Sequence, residues 1–181
     1  MIFIAKILVP LVDGFDDIEA LTTVNILRRA GVDVVTVGAI GNIVTSKSNI
    51  KVHADERLID LNDFSKFDGI VVPGCMEAVE TLMRNQKFMK VVDAFGRGGR
   101  LLGGICAAPL IFSKLGFLND RRATIRTGLE KNLDKPRSEN VIADGNIITA
   151  SGKQHAVEFA FKIVEQLLGK QKAQVLRQQM A

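Results

Sequence analysis

The sequence predicts a protein of the α/β class, in which a mostly parallel, doubly wound sheet lies between helices. One observation is a set of short, nearly continuous apolar runs, typical of strands that are buried on both faces. Another is that helical segments with an apolar stripe separate these runs, as connections between parallel strands require. The composition, with 47% hydrophobic and 24% charged residues in 181, is ordinary for a globular protein with a substantial core. We therefore expect a single domain over residues 1–181.

The first third of the chain predicts a buried strand, an amphipathic helix and a second strand. Asp13 and Gly14 end the first apolar run, and Asp16 or Asp17 can cap the helix that follows. Gly31 supplies the C-terminal stop of that helix. The predicted elements are strands over residues 2–9 and 33–37, a helix over residues 18–30 and short β segments over residues 41–52.

The rest of the chain continues the alternation, apart from a polar stretch over residues 121–140 that is typical of loops. Asp144, Gly145 and Asn146 are a good signal for a hairpin turn. The predicted elements are strands over residues 68–73 and 100–105, helices over residues 77–83 and 86–95, a short strand over residues 123–126, hairpin strands over residues 141–143 and 147–150, a helix over residues 154–168 and a polar C-terminal helix.

Composition and charge argue against several classes of protein. The net charge of +4 comes from basic residues mixed with acidic ones, and the chain has no Trp or Tyr, so nucleic-acid binding is not indicated. Lys6 interrupts the N-terminal apolar run, which is too short for a secretion signal, and no run is long enough to span a bilayer. Two cysteines suggest a reducing compartment, so we expect a cytoplasmic protein without a membrane partner.

The most informative residue is Cys106, because of the residues around it. It follows the predicted strand over residues 100–105, and small residues on both sides leave room for a sharp turn into a helix that Pro109 can begin. This is the pattern of a nucleophile elbow with cysteine in place of serine. A thiol over a helix N-terminus faces free N–H groups and the positive end of the helix dipole, so we expect its thiolate to be favoured. The alternative is a small buried hydrophobic residue.

A carboxyl group is predicted to lie at the same edge of the sheet as Cys106. In doubly wound sheets, ligands bind beyond the carboxyl ends of the strands, where the strand order reverses. Glu19 follows the first strand by one helical turn, and the turns at Gly74–Cys75 and Ser151–Gly152 follow two others. A carboxyl beside a thiolate must be protonated to donate a hydrogen bond, so we expect a raised pKa for Glu19 and a role as general acid and base. Alternatively, Glu19 is an acid favoured by the first turn of its helix.

Four segments carry a resemblance to a known family: ILVPLVDGFDDIEA, IVVPG, GGICAAP and EFAFKIVEQLLGK. Together they resemble the DJ-one/ThiJ/PfpI superfamily, and in it the branch of the Parkinson-associated protein and its bacterial relatives. The resemblance extends over essentially the whole chain. It implies a flavodoxin-like fold, a homodimer and a reactive cysteine at Cys106. It also implies that Glu19 is the protonated hydrogen-bond partner of Cys106, and that Gly74, Cys75 and the Ala107 N–H stabilise an anion.

The resemblance implies cofactor-free glyoxalase chemistry on methylglyoxal, deglycation of early glycation adducts, and oxidative-stress protection with chaperone-like behaviour. Proteolytic relatives have a histidine directly after the cysteine, where this chain has Ala107, so a protease is not expected. Many close relatives also have a histidine on the strand after the elbow helix, where this chain has Arg126. Arginine cannot act as a base, but it can stabilise a thiolate, a sulfinate or a substrate carboxylate. Of the two histidines, His155 is expected to be solvated and His53 to be structural.

Cys75 is a second departure, because the family usually has glycine at this position. Ends of neighbouring strands lie roughly 5 Å apart, and a disulfide needs Cα atoms about 4.4–6.8 Å apart. Cys75 is therefore a candidate resolving thiol for an oxidised Cys106. The alternative is a small residue whose side chain turns away.

Two functions from different classes follow. The first is a glyoxalase or deglycase in which Cys106 attacks a carbonyl carbon and Glu19 moves protons. The second is a redox-sensing or chaperone-like protective protein whose Cys106 is oxidised and not turned over. No set of His, Cys, Asp and Glu has metal-ligand spacing, so neither a metal nor another cofactor is expected.

Overall fold

The computed structural model describes residues 4–181, in which strands and helices alternate along most of the chain. The strands are β1 (Lys6–Leu11), β2 (Asp33–Gly38), β3 (Ile43–Thr45), β4 (Lys51–His53), β5 (Glu56–Arg57), β6 (Gly69–Val72), β7 (Leu101–Ile105), β8 (Arg122–Ala123), β9 (Lys135–Pro136), β10 (Val141–Asp144) and β11 (Ile147–Ala150). The helices are α1 (Asp17–Arg29), α2 (Met76–Arg84), α3 (Gln86–Arg97), α4 (Pro109–Lys114), α5 (Ala156–Leu168) and α6 (Lys170–Met180), with 3₁₀ turns at Glu130–Asn132 and Lys153–His155.

Seven strands form one sheet in the order β10-β11-β7-β6-β1-β2-β5. Each neighbouring pair is parallel, apart from the β10–β11 hairpin at one edge. β1 lies between β2 and β6, so the strand order reverses at β1. The predicted fold class, a mostly parallel and doubly wound sheet between helices, is confirmed.

The core has two parts, one on each face of the sheet. Successive side chains of a strand point to opposite faces, so Ile7 and Val9 of β1 belong to one buried cluster and Leu8 to the other. Helices α1, α5 and α6 cover the first face, and α2, α3 and α4 cover the second. With both faces covered, the carboxyl edge of the sheet is where a pocket can open to solvent.

Most predicted elements are present, with shifts at three places. The first strand was predicted over residues 2–9, but positions 2 and 3 lie outside the described residues and β1 covers Lys6–Leu11. The predicted hairpin is confirmed, because Asp144 pairs with Ile147 and leaves a two-residue turn in which Gly145 has a φ of 61°. The predicted helix over residues 154–168 begins as the 3₁₀ turn Lys153–His155.

The predicted strand over residues 123–126 is wrong in extent, since β8 ends at Ala123. The Thr124 N–H donates to the Thr149 hydroxyl over 2.9 Å, and the Arg126 N–H donates to the Cys106 carbonyl oxygen over 2.9 Å. The first bond joins the segment to β11 and the second joins it to the turn after β7, so residues 124–126 do not continue the strand. Among residues 4–181, no helix has the length and apolar character needed to cross a membrane.

Candidate active site

A pocket of about 480 Å³ opens beyond the carboxyl ends of β1, β7 and β11. It lies beside β1, the strand at which the strand order reverses, as expected for a doubly wound sheet. Its lining combines two thiols, two carboxyl groups, three cations and several neutral polar groups. The lining residues are Asp16, Glu19, Lys47, Cys75, Cys106, Arg126, Thr127, Ser151, Gly152, Lys153 and Gln154.

Cys106 lies on a sharp turn between β7 and α4. Its φ of 62° is in the left-handed region, which is uncommon for a residue other than glycine. The turn is held by neighbouring segments, because the Cys106 N–H donates to the Ala150 carbonyl oxygen over 2.8 Å and its carbonyl accepts from the Arg126 N–H. Pro109 begins α4 at a position where its missing N–H costs nothing. The thiol is thereby held, half-buried, at the floor of the pocket.

Glu19 is brought into the pocket by the first turn of α1. The Asp16 side chain caps this helix by accepting from the N–H groups of Ile18 and Glu19. The Glu19 side chain is 1% exposed, and its Oε2 accepts a hydrogen bond of 2.7 Å from the Gly74 N–H. Glu19 lies in the first turn of a helix, but it is not one of the solvated acids that are typical of that position.

The pKa of Glu19 is raised to about 7, as the sequence analysis expected. Burial is the largest cause, and the negative charge of Asp16 adds to it. Hydrogen bonds from the Gly74 N–H and the Cys106 thiol, and the charge of Lys47, act in the opposite direction. A carboxyl that titrates near neutral pH can both accept and donate protons there.

Gly74 is the contact point between Glu19 and Cys106. A Cβ atom added to Gly74 would lie 2.5 Å from the Cys106 Cβ, 2.6 Å from the Glu19 Oε2 and 2.6 Å from the Ile105 carbonyl oxygen. These separations are far below contact distance, so only glycine allows the turn after β6 to reach both side chains. The close approach of the Gly74 backbone to these atoms explains why the IVVPG segment ends in glycine.

The pKa of Cys106 is raised to about 11, which differs from the favoured thiolate that the sequence analysis expected. Burial is the largest cause and the Glu19 charge is the next, while the N–H groups of Cys75 and Ala107 and the charge of Arg126 lower the pKa. Burial therefore outweighs the stabilisation of the thiolate that is expected at the start of a helix. At neutral pH the resting group is therefore the thiol, beside the Glu19 carboxyl.

Cys75 lies at the start of α2 and lines the same pocket as Cys106. Its φ of 82° and ψ of 128° belong to a region that suits glycine, which agrees with the glycine expected here from the resemblance. Both thiols are free and half-buried. The Cys75 N–H faces the Cys106 sulfur, whereas the Gly74 N–H is taken by Glu19, so the two residues of this turn contact different groups.

Two lysines that the sequence did not single out, Lys47 and Lys153, line the pocket together with Arg126. Lys153 follows the end of β11, so the carboxyl-edge rule would have found it. Lys47 lies in the loop between β3 and β4, and no local pattern signals its position. That loop is drawn to the site by hydrogen bonds of Lys47 N–H to Phe15 O and of Gly14 N–H to Thr45 O.

The two histidines lie outside the pocket. His53 is exposed at the end of β4, where its ring contacts Asn42. His155 lies in the 3₁₀ turn before α5 and lines a neighbouring pocket. Within residues 4–181, no group of three His, Cys, Asp or Glu side chains could hold a metal ion.

The fold and this pocket define a flavodoxin-like α/β protein with a cysteine on a strand-to-helix turn and a buried carboxyl group beside it. The sequence profile of the DJ-1/PfpI family matches residues 5–166. The chain belongs to this family.

Curated relatives and solved structures agree with this assignment. Protein DJ-1 homolog B of Arabidopsis thaliana is 34% identical over 92% of this chain, which covers only 39% of that longer protein. The glutathione-independent glyoxalase DJR-1.2 of Caenorhabditis elegans is 30% identical over 95% of this chain and 92% of its own length. The deglycase PYRAB04690 of Pyrococcus abyssi is 25% identical over 80% of this chain and 89% of its own length. The crystal structure of Drosophila melanogaster DJ-1beta has a TM-score of 0.92, 29% identity and 98% coverage of both chains.

Proposed function

We propose that this protein is a cofactor-free enzyme of the glyoxalase or deglycase type, with Cys106 as nucleophile and Glu19 as general acid and base. The observation that carries the proposal is the buried Glu19 carboxyl, which accepts a hydrogen bond from the Gly74 N–H and lies beside Cys106 at the same glycine. The relatives named glyoxalase and deglycase support this reaction class. Arg126 in place of histidine leaves Glu19 as the group that moves protons.

The pKa values suggest how the thiol becomes a nucleophile. Because the resting pair is a thiol beside a group with a pKa of about 7, Glu19 takes the thiol proton as the sulfur bonds to the aldehyde carbon of methylglyoxal. Glu19 then gives this proton to the carbonyl oxygen, which forms a hemithioacetal. The N–H groups of Cys75 and Ala107 lower the pKa of the thiol, so they favour negative charge on the sulfur as its proton leaves.

The second half of the reaction uses the same carboxylate. Glu19 removes the proton from the carbon bonded to sulfur and returns it to the adjacent carbon, while a proton passes between the two oxygens. The product is a thioester of lactate, which water hydrolyses to release lactate and restore the Cys106 thiol. The net reaction is methylglyoxal plus water to lactate, and it needs neither an oxidant nor a reductant.

The test measures lactate formed from methylglyoxal by the wild type and by Cys106→Ala and Glu19→Gln. We expect both variants to lose at least about a hundredfold in kcat/KM, as removal of a nucleophile or a general base usually causes. In the wild type, kcat/KM should rise with pH and level off above about pH 7, because Glu19 must start as a carboxylate. Full turnover by Cys106→Ala would overturn the proposal.

Asp16→Asn offers a finer test of the same step. Asparagine caps a helix as well as aspartate does, but it removes the negative charge that raises the pKa of Glu19. The midpoint of the pH profile should therefore move to lower pH while the plateau rate changes little. An unchanged midpoint would mean that another group controls the profile.

Redox sensing, with chaperone-like protection, is a second candidate, and the presence of two thiols in one pocket favours it. We propose Cys75 as the resolving thiol. Peroxide would oxidise Cys106 to a sulfenic acid with release of water, and attack by Cys75 would form a disulfide with release of a second water. Intact mass after peroxide treatment tests this. A loss of two hydrogens that Cys75→Ser abolishes supports the disulfide, and addition of oxygen alone contradicts it.

We also propose that the protein acts as a homodimer in the cytoplasm, where reducing conditions keep both thiols free.

A further inference from the structure

The rim of the Cys106 pocket carries three cationic side chains, Lys47, Arg126 and Lys153. All three are exposed. Among residues 4–181, none of them lies within 4.0 Å of a carboxylate oxygen, although nine other Lys and Arg residues do form such ion pairs. Cations are therefore grouped, without ion-pair partners, at the mouth of the one pocket that contains Cys106.

The acids of the pocket do not neutralise this rim. The Asp16 side chain is 6% exposed and accepts from two N–H groups at the start of α1. The Glu19 carboxyl is 1% exposed and faces Gly74 and Cys106. The wall that a ligand meets first consists of the three cations and the polar side chains of Thr127, Ser151 and Gln154.

The rim charges act on the reacting groups. The Arg126 charge lowers the pKa of Cys106, and the Lys47 charge lowers that of Glu19. Arg126 is also tied to the elbow, because its N–H donates to the Cys106 carbonyl oxygen. This bond fixes the backbone of Arg126 at the pocket, and its exposed guanidinium can bind a carboxylate or a phosphate through two parallel hydrogen bonds.

The pocket is much larger than a three-carbon oxoaldehyde needs. Its volume is about 480 Å³, and Thr127, Ser151 and Gln154 also line a second pocket that contains Arg137, His155 and Glu130. A longer substrate can therefore reach Cys106 at one end while its other end lies against the three cations of the rim.

We propose that the substrate is an α-oxoaldehyde that carries a carboxylate or phosphate group, with its aldehyde at Cys106 and its anionic group bound by Arg126 and the neighbouring rim lysines. The substrate part of this inference rests on the proposed function. The anion subsite itself does not depend on turnover.

The first experiment compares anionic and neutral α-oxoaldehydes of matched length. The carboxylate pair is 4,5-dioxopentanoate and 2-oxopentanal, and the phosphate pair is 2-oxo-3-phosphooxypropanal and 2-oxo-3-hydroxypropanal. In one pair, we expect kcat/KM to be at least about tenfold higher for the anionic member, because grouped cations at a cleft attract an anionic substrate. The pair with the larger ratio of anionic to neutral kcat/KM shows whether the subsite prefers a carboxylate or a phosphate.

Variants separate the role of Arg126 from a general charge effect. Arg126→Gln should remove most of the anionic preference, and Arg126→Lys should retain part of it. Lys172→Gln removes the same charge from an exposed position on α6, outside the pocket, and should change the ratio little. Equal kcat/KM for both members of both pairs would overturn the anion subsite while leaving the proposed function intact.

The second experiment needs no turnover. It compares alkylation of Cys106 by iodoacetate and by iodoacetamide, followed by the mass of the Cys106 peptide, with the uncharged N-acetylcysteinamide as the reference thiol. Both reagents react with the thiolate form of Cys106. A change in the pKa of Cys106 therefore alters both rates by the same factor and leaves their ratio unchanged. The iodoacetate-to-iodoacetamide ratio should exceed that of the reference by about tenfold, and it should fall towards the reference in Arg126→Gln.

The two experiments separate the two proposals. A raised alkylation ratio without turnover of any oxoaldehyde would support the anion subsite and contradict the proposed function. A ratio equal to that of N-acetylcysteinamide would overturn the subsite, whatever substrates are turned over.

Discussion

Glu19 is buried as an acid that titrates near neutral pH, and this has a consequence for stability. Because folding raises its pKa from 4.5 to about 7, the folded protein binds the proton more tightly than the unfolded chain does. The resulting stabilisation is fully present below about pH 4.5 and is lost as pH rises through 7. Above pH 7 the protein holds a buried carboxylate at a cost of about 3 kcal/mol relative to an unshifted acid.

Glu19→Gln should therefore gain stability relative to the wild type as pH rises. Glutamine cannot ionise, but it can still accept the hydrogen bond from the Gly74 N–H. We expect the free energy of unfolding of the variant, minus that of the wild type, to increase by about 3 kcal/mol between pH 4.5 and pH 8. Urea titrations at the two pH values measure this.

The matched control for this prediction is Glu139→Gln, an exposed loop residue that forms no ion pair within residues 4–181. Its effect should be nearly the same at both pH values. If Glu19→Gln also shows no change with pH, the carboxyl is ionised in the folded protein without penalty.

The backbone of Cys75 is also strained, because its φ of 82° and ψ of 128° suit glycine. Cys75→Gly should raise the free energy of unfolding by about 1 kcal/mol, after the greater freedom of glycine in the unfolded chain has offset part of the relief. Cys75→Ala keeps the strain and is the control. Equal stabilities of the two variants in chemical denaturation would contradict this account.

At the scale of elements, the site depends on the turn after β6 reaching α1 and the turn after β7. Gly74→Ala would place a methyl group 2.6 Å from the Ile105 carbonyl oxygen, which is backbone and cannot move aside alone. We expect a loss of at least about 2 kcal/mol in stability, because the strands and helices must shift apart. The measurement is the urea midpoint together with the pH dependence of Cys106 alkylation.

Gly41→Ala is the control for Gly74→Ala. Its added Cβ would meet no atom closer than 4.0 Å, and its φ is not in the left-handed region. Its stability should change by less than about 0.5 kcal/mol. Comparable losses in both variants would show that close approach is not the reason for glycine at position 74.

At the scale of the whole molecule, three exposed isoleucines lie on segments that are hydrogen-bonded to one another. Ile18, Ile43 and Ile50 are 50%, 62% and 45% exposed. The Asp13 carboxylate accepts from the Thr45 N–H, and the Phe15 carbonyl accepts from the Lys47 N–H, so the segment before α1 is bonded to the β3–β4 hairpin.

We expect sedimentation equilibrium to give twice the 19.7 kDa chain mass, since exposed apolar side chains grouped on one surface are typical of an interface. Ile18→Glu should shift the mass towards that of one chain, and Val175→Glu, an exposed site on α6, should not. A wild type that sediments at the mass of one chain contradicts the expected homodimer.

The sequence predicts the fold well because its signals are local. Apolar runs such as the one in β1 mark strands, and Asp16 and Gly31 mark where α1 begins and ends. The same rules place Glu19 and Cys106 at one edge of the sheet.

The environment of these two groups could not be predicted in the same way. The raised pKa of Cys106 depends on burial and on a carboxylate from a distant part of the chain. Lys47 reaches the pocket only because its loop is bonded to Phe15 and Gly14. Such effects arise from packing between segments, on which the spacing of residues along the chain carries no information.

The Gly74–Glu19 hydrogen bond spans 55 residues, and the Cys106 turn follows β7, which pairs with β6. Closing loops of this length is slow compared with forming a helix, so we expect the site to form late in folding. Until then, Cys106 is an ordinary thiol, with a pKa of about 8.5. Completion of the native structure therefore makes this cysteine less prone to random modification. The time at which Cys106 becomes protected from a neutral alkylating reagent can then report the final folding step.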